Sequence, residues 1–417
     1  MRRTTRRFAL LLGIALSAVT AGGAAEEALT LAEPVHHLDA LAREPMVARH
    51  PDGTLFLAGY GSQVTGTDPN AVPHLWSSAD GGASWTRVDV GTAADGATGN
   101  SDVDLAVGPD GTLYFLSMGF DRSVGEGVHI TMGVSRDVGA TWTWTRLSET
   151  RFDDRPWVVV APDGTAHVVW NDDRGVAYAT SADRGATWTE HDRIHDQGGS
   201  SHFAVGPAGE LAVRISPIAA SANRFFEDVD LIAISTDGGS TWAARPAPGE
   251  RVWDPTFSNP ELIPRWVEPL AWDAAGSLFS LWSEGERVVL ARSVDRGETW
   301  TSWTIAEEGA PAFFPYMVAG GAGELAATWF VGTGGSLAAR LVSIDVPPGT
   351  EGEPVVRRSA PFQIDAWLET EAPRARTAAG EYLPVVFLEN GRLGVASPIQ
   401  DVARDRWGFS WWTATSD

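Results

Sequence analysis

The octapeptide SADGGASW at residues 78–85 recurs four more times, as SRDVGATW (135–142), SADRGATW (181–188), STDGGSTW (235–242) and SVDRGETW (293–300). The shared pattern is S-x-D-x-G-x-[S/T]-W, and successive aspartates are 46 to 58 residues apart. A period of this size accommodates about four strands with loops of varying length. The repeats therefore indicate a chain built from several similar β units.

Each octapeptide has the composition of a hairpin turn. Its aspartate can accept hydrogen bonds from backbone N–H groups of the turn, its glycine can adopt a positive φ, and its tryptophan can bury a large ring. A single carboxylate in each copy argues against a Ca²⁺ site, since Ca²⁺ requires several oxygen ligands. We therefore expect a scaffold role for the aspartates and tryptophans, which are Asp80, Asp137, Asp183, Asp237 and Asp295 with Trp85, Trp142, Trp188, Trp242 and Trp300.

A second repeat consists of a short strand, a turn that contains glycine, and another strand, as in EPMVARHPDGTLFLAGYG at 44–61. The turn glycines are Gly53, Gly111, Gly164, Gly209, Gly276, Gly323 and Gly380. The first five of these units are each followed by an octapeptide. The pattern predicts an all-β fold, a single β-propeller of four-stranded blades with the octapeptides on the turns between third and fourth strands. The number of turn glycines favours seven blades, and six is the alternative.

The N-terminus has the features of an export leader. Four arginines precede an apolar run from Phe8 to Val19, and small residues follow before Glu26. We expect residues 1–25 to be a signal peptide, residues 26–43 an extension that can add a closing strand, and residues 44–417 the propeller. The mature protein is then expected to be secreted or periplasmic, with no membrane span.

Composition excludes several classes of function. The chain has no cysteine, so it has no disulfides and no thiolate chemistry, and its net charge of -23 disfavours nucleic acid as a partner. His36 and His37 lie in the N-terminal extension and do not indicate a metal site. No cofactor and no metal are predicted. The expected partner is an extracellular glycan or a secreted protein, and the expected state is a monomer.

The first strand of each unit starts with polar and aromatic residues, although its later positions are apolar. Glu44, Asp102, Asp104, Arg155, Trp157, His202, Glu268 and Tyr316 all occupy such positions. These strand starts meet at one mouth of a propeller channel, where convergent charged and aromatic groups form a candidate site. The alternative is that half-solvated strand ends simply tolerate polar residues.

The octapeptide resembles the Asp-box, or BNR, repeat of sialidases and their relatives, and the resemblance spans most of residues 44–415. Sialidases clamp the substrate carboxylate with three arginines and use a tyrosine nucleophile, an activating glutamate and an aspartate as acid/base. The resemblance implies Tyr316 as nucleophile, Glu268 as its activator, Asp102 or Asp104 as acid/base, and Arg155, Arg265 and Arg374 as the clamp. Trp157, His202 and Glu44 are the remaining predicted substrate contacts. The Arg-Ile-Pro motif of that family is absent, and Asp154-Arg155-Pro156-Trp157 is the nearest string.

Two functions follow as hypotheses. The first is a secreted glycoside hydrolase of exo-α-sialidase type that acts on extracellular glycan. The second is a non-catalytic propeller that binds glycan or protein, or serves as an assembly scaffold. An enzyme for anionic sugars requires a positive patch at the mouth, whereas the non-catalytic alternative predicts mouth arginines paired with carboxylates.

Overall fold

The structure is a computed structural model that describes residues 28–61, 68–219, 224–249, 267–332, 337–349, 352–364, 380–401 and 404–416. Within these ranges the fold is all-β, as expected. Its helices are two single turns of 3-10 type, Ala93–Asp95 and Glu389–Gly391. In the described part of the chain, no helix is long and apolar enough to cross a membrane.

The strands, in chain order, are β1 Ala28–Leu31, β2 Val35–Leu38, β3 Arg43–Arg49, β4 Leu55–Tyr60, β5 His74–Ser78, β6 Thr86–Arg87, β7 Ser101–Val107, β8 Leu113–Asp121, β9 Glu126–Ser135, β10 Thr143–Ser148, β11 Asp154–Val160, β12 Ala166–Asp172, β13 Gly175–Ser181, β14 Thr189–Glu190, β15 Gly199–Val205, β16 Leu211–Ser216, β17 Ile218–Ala219, β18 Arg224–Phe225, β19 Leu231–Ser235, β20 Ala243–Pro246, β21 Leu270–Trp272, β22 Leu278–Glu284, β23 Arg287–Ser293, β24 Thr301–Glu307, β25 Ala312–Ala319, β26 Glu324–Val331, β27 Ala338–Asp345, β28 Val355–Ser359, β29 Phe362–Gln363, β30 Val385–Phe387, β31 Leu393–Asp401 and β32 Arg406–Ser416.

Five separate four-stranded sheets form the blades, numbered here along the chain. They are β3–β6, β7–β10, β11–β14, the set β15, β16, β19 and β20, and β21–β24. Every strand pairing within these sheets is antiparallel. Antiparallel pairing of strands from one repeat lets each repeat form its own sheet.

The blade count differs from the expected seven or six, because the structure has five separate blades and one ten-stranded sheet. That sheet contains β25–β28 from the sixth repeat unit and β30–β32 from the seventh. Strand β1 pairs in parallel with β28 and antiparallel with β32, and β2 also pairs with β32. The hydrogen bonds of β1 thus join the strands of two repeat units into one sheet.

The first strands of the units form a ring. Strands β3, β7, β11, β15, β21, β25 and β30 contact one another in turn, and β30 contacts β3. The largest cluster of buried residues runs through this ring and includes Phe115, Phe203 and Phe330. The ring places the starts of all these strands at one end, and that end carries the candidate site.

Each octapeptide forms the turn between the third and fourth strands of a blade. In the third blade, Asp183 accepts hydrogen bonds from the Thr187 backbone N–H (2.9 Å), the Thr187 hydroxyl (2.6 Å) and the Ser181 hydroxyl (2.8 Å). The other four copies repeat the two bonds from the residue before tryptophan. These turns lie at the ends of the strands away from the candidate site.

The seventh repeat unit turns at Gly391 rather than at Gly380. The Leu388 N–H donates to the Arg392 carbonyl, as the His50 N–H donates to the Thr54 carbonyl in the first unit. Gly391 has a φ of +71° and follows Asn390, which has a φ of +60°, so the turn uses the two residue types that best tolerate this conformation. The first strand of this unit is therefore β30, and Glu381 and Tyr382 lie just before it.

Candidate functional site

Five of the seven first strands begin with a β-bulge at the end of the ring opposite the octapeptide turns, which we call the mouth. The pairing register shifts between Arg43 and Met46 in β3, and at the corresponding points of β7, β11, β15 and β25. Glu44, Arg155 and Phe314 occupy equivalent bulge positions and have φ values of +45°, +47° and +47°. A positive φ is strained for such residues, and strain of this kind clusters at functional sites.

Glu44 is the centre of a buried polar group in the first blade. The Tyr60 hydroxyl donates to its Oε2 (2.7 Å), and the Arg43 Nε donates to the Tyr60 oxygen (3.2 Å). Burial and the nearby charge of Asp102 raise the pKa of Glu44 to about 8, although Arg43 opposes the change. The carboxyl of Glu44 is therefore held protonated at neutral pH.

Arg155 and Glu381 form an ion pair between the third blade and the ten-stranded sheet. Arg155 Nη2 donates to Oε2 of Glu381 (2.7 Å), and its Nε lies 4.0 Å from Asp154. Burial raises the pKa of Glu381, whereas the guanidinium of Arg155 lowers it. For Arg155, burial lowers the pKa, but Glu381 and other neighbours raise it well above its ordinary value. The arginine expected to clamp a substrate is thus engaged by carboxylates of the chain itself.

Asp102 lies between these two pairs. It is half-buried at the start of β7, and the Ser101 hydroxyl donates to its Oδ1 (3.3 Å). Its negative charge raises the pKa of both Glu44 and Glu381. Carboxyl groups from three repeat units therefore converge here, and we call Glu44, Asp102 and Glu381 with Arg43 and Arg155 the carboxyl cluster.

Asp104 joins two neighbouring blades. Its Oδ1 accepts from the Leu105 N–H (2.9 Å) and its Oδ2 from the Val158 N–H in β11 (2.8 Å). Burial raises its pKa to about 7, although both backbone N–H groups oppose the rise. Because backbone groups hold both of its oxygens, Asp104 positions strands β7 and β11, and Asp102 is the more accessible of the two candidate aspartates.

A row of aromatic side chains lies beside the carboxyl cluster, and three of them, Trp157, Tyr382 and His202, are buried. The Trp157 ring lies 5.5 Å from Tyr382 and 5.0 Å from His202, and His202 lies 6.0 Å from Tyr316. The Leu270 N–H donates to Nδ1 of His202 (3.2 Å), and burial lowers the pKa of His202 to about 4. The ring of His202 is therefore neutral with its proton on Nε2. Partly exposed Tyr316 offers the open aromatic face in this group.

Glu268 lies in a different set of contacts from Tyr316. Nε and Nη2 of Arg214 both donate to Glu268 Oε2 (3.0 and 2.8 Å), and Arg214 also binds Asp230. Burial and the charge of Asp104 raise the pKa of Tyr316. The carboxyl group that influences Tyr316 is thus Asp104 and not Glu268. It raises the pKa of Tyr316, whereas an activated nucleophile requires a lowered pKa.

Two of the predicted clamp arginines, Arg265 and Arg374, lie outside the described residues. The described residues hold no cluster of three histidine or carboxylate side chains arranged to bind a metal ion. The sequence reasoning missed Arg43, Tyr60, Glu381 and Tyr382. The Asn-Gly pair at residues 390–391 is the signal that would have placed Glu381 and Tyr382 at the mouth.

The cluster has the features of an acid–base site. It contains the buried carboxyl of Glu44, whose pKa is raised to about 8, the half-buried side chain of Asp102, and the partly exposed ring of Tyr316. Three carboxyl groups face two arginines, one of which is ion-paired with Glu381, so the mouth has no excess of positive charge. Such a site suits an uncharged ligand with many hydroxyl groups.

No protein-family model and no curated protein matches the chain. Among solved structures, it is similar to a GH93 α-L-arabinofuranosidase of Fusarium graminearum in complex with arabinobiose, with a TM-score of 0.50, 12% identity, and coverage of 93% of this chain and 98% of that one. It is also similar to YCF48 from Cyanidioschyzon merolae, with a TM-score of 0.50, 13% identity, and coverage of 92% and 98%. A fungal alcohol oxidase of the AA5 family in complex with copper has a TM-score of 0.53 at 10% identity, with coverage of 93% and 76%. At these identities the likeness is one of fold.

Proposed function

We propose that the chain is a glycan-directed propeller that hydrolyses glycosidic bonds of an uncharged glycan, with Glu44 as the proton donor and Asp102 as the partner carboxylate. The observation that carries the proposal is the buried carboxyl of Glu44, whose pKa is raised by burial and by the charge of Asp102, a half-buried residue at the start of the neighbouring first strand. Support also comes from an arabinofuranosidase of the same fold. Since residues 1–25 have the features of an export leader, we propose that the glycan is extracellular.

Glycoside hydrolysis generally uses two carboxyl groups in different protonation states. One donates a proton to the leaving oxygen, and the other acts as nucleophile or activates water. A buried environment that favours the neutral acid distinguishes the two roles. Glu44 has such an environment, since burial and the charges of Asp102 and Glu381 raise its pKa. Asp102 is half-buried, so a sugar at the mouth can reach it.

The arrangement favours an uncharged sugar over a sialoside. A carboxylate substrate requires arginines that are free to bind it in a bidentate manner. Arg155 donates to Glu381, and Arg43 donates to Tyr60, so both cluster arginines already serve groups of the chain. A substrate carboxylate would also meet the negative charges of Asp102 and Glu381.

A second candidate is a non-catalytic, glycan-binding propeller. The observation that favours it is the ion pair of Arg155 with Glu381, which lies between a blade and the ten-stranded sheet and is compatible with a structural role. In that case the partly exposed ring of Tyr316 would contact the sugar, with His202 packed behind it, and Asp102 would supply hydrogen bonds without chemistry.

The experiment is a hydrolysis panel with the protein lacking residues 1–25. Aryl glycosides of neutral sugars, including an α-L-arabinofuranoside, are compared with an aryl sialoside. We expect turnover of at least one neutral glycoside and none of the sialoside. Glu44→Gln and Asp102→Asn should each lower kcat by about 10²-fold to 10⁴-fold, the usual contribution of general acid–base catalysis.

Asp163→Asn is the matched control, because Asp163 is an exposed carboxylate on the turn after β11, at the other end of the strand that starts at Asp154. This variant should keep full activity. Turnover of the sialoside would contradict the choice of an uncharged sugar. Absence of all turnover, together with retained glycan binding that Asp102→Asn weakens, would establish the non-catalytic candidate instead.

A further inference from the structure

Tyr60 was not among the candidate residues, yet it contacts the central carboxyl directly. It is the last residue of β4 and pairs in register with Arg43 at the start of β3. The side chain is 1% exposed, and the Glu44 residue is 5% exposed. The hydrogen bond between the two side chains is thus shielded from bulk water, and only a small part of Glu44 is exposed.

The direction of the hydrogen bonds follows from the donors available. The guanidinium of Arg43 can only donate, so the Tyr60 oxygen accepts from Arg43 Nε (3.2 Å). The hydroxyl hydrogen of Tyr60 is buried and needs an acceptor, and Glu44 Oε2 lies 2.7 Å away. Oε2 is therefore the accepting oxygen of the carboxyl, so an acidic proton on Glu44 resides on the other oxygen, Oε1. Oε1 lies 3.6 Å from Arg43 Nη2 and packs against Gly380.

We propose that Tyr60, whose oxygen accepts a hydrogen bond from Arg43, is a positioning residue that keeps the acidic proton of Glu44 on Oε1, so that the carboxyl donates from this oxygen alone. The inference rests on the proposed function only for the destination of that proton, the leaving oxygen of a glycosidic bond. In the transfer the Oε1–H bond breaks, the proton moves to the leaving oxygen, and the Tyr60 hydroxyl stabilises the carboxylate that remains.

The backbone supports the same orientation. Glu44 has a φ of +45° at the bulge of β3, which is a strained conformation for a residue other than glycine. A Cβ added at Gly380 would overlap the Glu44 side chain, so the carboxyl packs against the backbone there. The hydrogen bond from Tyr60 and this close packing both restrict the rotation that would exchange the two oxygens.

Several elements place charged and titratable groups around Glu44. Arg43 and Tyr60 belong to β3 and β4, Asp102 to β7, and Glu381 and Tyr382 precede β30. The Tyr60 hydrogen bond lowers the pKa of Glu44, whereas burial, Asp102 and Glu381 raise it. Removal of the Tyr60 hydroxyl alone should therefore raise the pKa of Glu44.

The test is a ¹³C NMR titration of protein labelled at the glutamate side-chain carboxyls, with the Glu44 signal assigned by its loss in Glu44→Gln. In Tyr60→Phe we expect the pKa of Glu44 to rise, since the ionised form loses a donor. If the proton instead resided on Oε2 and were donated to Tyr60, the same substitution would lower the pKa. A lowered or an unchanged pKa would therefore overturn the proposal.

Tyr114→Phe is the matched control, since Tyr114 is equally buried on the second strand of another blade. It should leave the Glu44 titration unchanged. Should Tyr60→Phe fail to fold, the unmodified protein still decides the point through the ring carbon of Tyr60 that bears the hydroxyl. The chemical shift of that carbon should change at the pH at which Glu44 titrates. A chemical shift that does not change there would contradict the hydrogen bond.

Catalysis gives a separate readout on the neutral glycoside that the panel identifies. Tyr60→Phe should lower kcat about tenfold, the size expected for a hydrogen bond to a charged group, and leave KM unchanged. The pH at which kcat of this variant falls on the basic side should move upward with the pKa of Glu44. Absence of hydrolysis with the expected NMR shift would reject the proposed function alone. Hydrolysis that depends on Glu44, without that shift, would reject the role of Tyr60 alone.

Discussion

Replacing Glu44 with glutamine removes a carboxyl group whose protonation is linked to folding. In the folded protein its pKa is raised to about 8, first by burial and then by the charge of Asp102. In the unfolded chain a glutamate titrates near its ordinary value of about 4.3. Between these two values the folded state holds one proton more than the unfolded state. The stabilising contribution is thus present at low pH and is lost as the pH rises through about 8.

The magnitude follows from this one proton. Each pH unit between the two pKa values changes the free energy of unfolding by at most about 1.4 kcal/mol. Between about pH 7 and about pH 8 the folded carboxyl is partly ionised, so we expect a loss of roughly 1 kcal/mol. Glutamine cannot ionise and is close in shape to the protonated acid. The Glu44→Gln variant should therefore lose this part of the pH dependence.

Other groups with shifted pKa values act mainly below this window. Burial lowers the pKa of four histidines to about 4, and these are His74, His129, His167 and His202. Their effect is to increase the free energy of unfolding as the pH rises from about 4 to their ordinary pKa of about 6.5. Asp104 contributes a loss of stability with rising pH up to its pKa of about 7. The difference between the original protein and Glu44→Gln above pH 7 consequently reports the Glu44 carboxyl together with its interaction with Glu381, whose pKa is also raised by burial.

The assay is equilibrium urea unfolding, followed by tryptophan fluorescence, at several pH values between about 6.5 and 8.5 and at constant ionic strength. Asp163→Asn is the control, since it removes an exposed carboxylate and should keep the original slope with pH. Parallel slopes for the original protein and Glu44→Gln would contradict this prediction, because Glu44 would then be ionised in the folded state at neutral pH.

Two further predictions concern the scaffold. Phe115 is fully buried, and its ring centroid lies 6.1 Å from that of Trp142 and 5.8 Å from that of Trp144. Phe115→Ala should therefore lower the free energy of unfolding by about 3–5 kcal/mol in urea titrations. A loss below about 1 kcal/mol would mean that this core is not packed as described. Hydrogen bonds from Thr187 and Ser181 lower the pKa of Asp183 to about 2, so its stabilising effect is present above about pH 4 and is lost as the pH falls through about 2. Asp183→Asn should then raise the pH of acid unfolding seen by circular dichroism, and an unchanged midpoint would count against this role.

Much of the fold could be predicted from the sequence, because the information is local. An octapeptide such as residues 181–188 contains the aspartate, hydroxyl, glycine and tryptophan of one turn, and local hydrogen bonds account for its conformation. The all-β class and the four-stranded blades follow from this repetition. The number of separate blades could not be predicted, because it depends on how β1 pairs with β28 and β32, which are more than 300 residues away in the chain.

The candidate site was predictable only in part. The starts of the first strands were recognised as the mouth, and Glu44, Asp102 and Arg155 meet there in the structure. Glu268 occupies a similar position in the sequence but binds Arg214, a buried side chain on the second strand whose orientation no local pattern reveals. Glu381 was missed because Gly380 resembles a turn glycine, whereas the hairpin turns at Gly391.

The most direct test of the central claim is a crystal structure of Glu44→Gln with an oligosaccharide of the neutral sugar that the original protein hydrolyses. We expect the sugar at the mouth, with the leaving oxygen of its glycosidic bond in hydrogen-bond contact with the residue 44 amide and Asp102 near the anomeric carbon. A sugar bound elsewhere, or one whose glycosidic oxygen lies away from both side chains, would contradict the assignment of the carboxyl cluster as the active site.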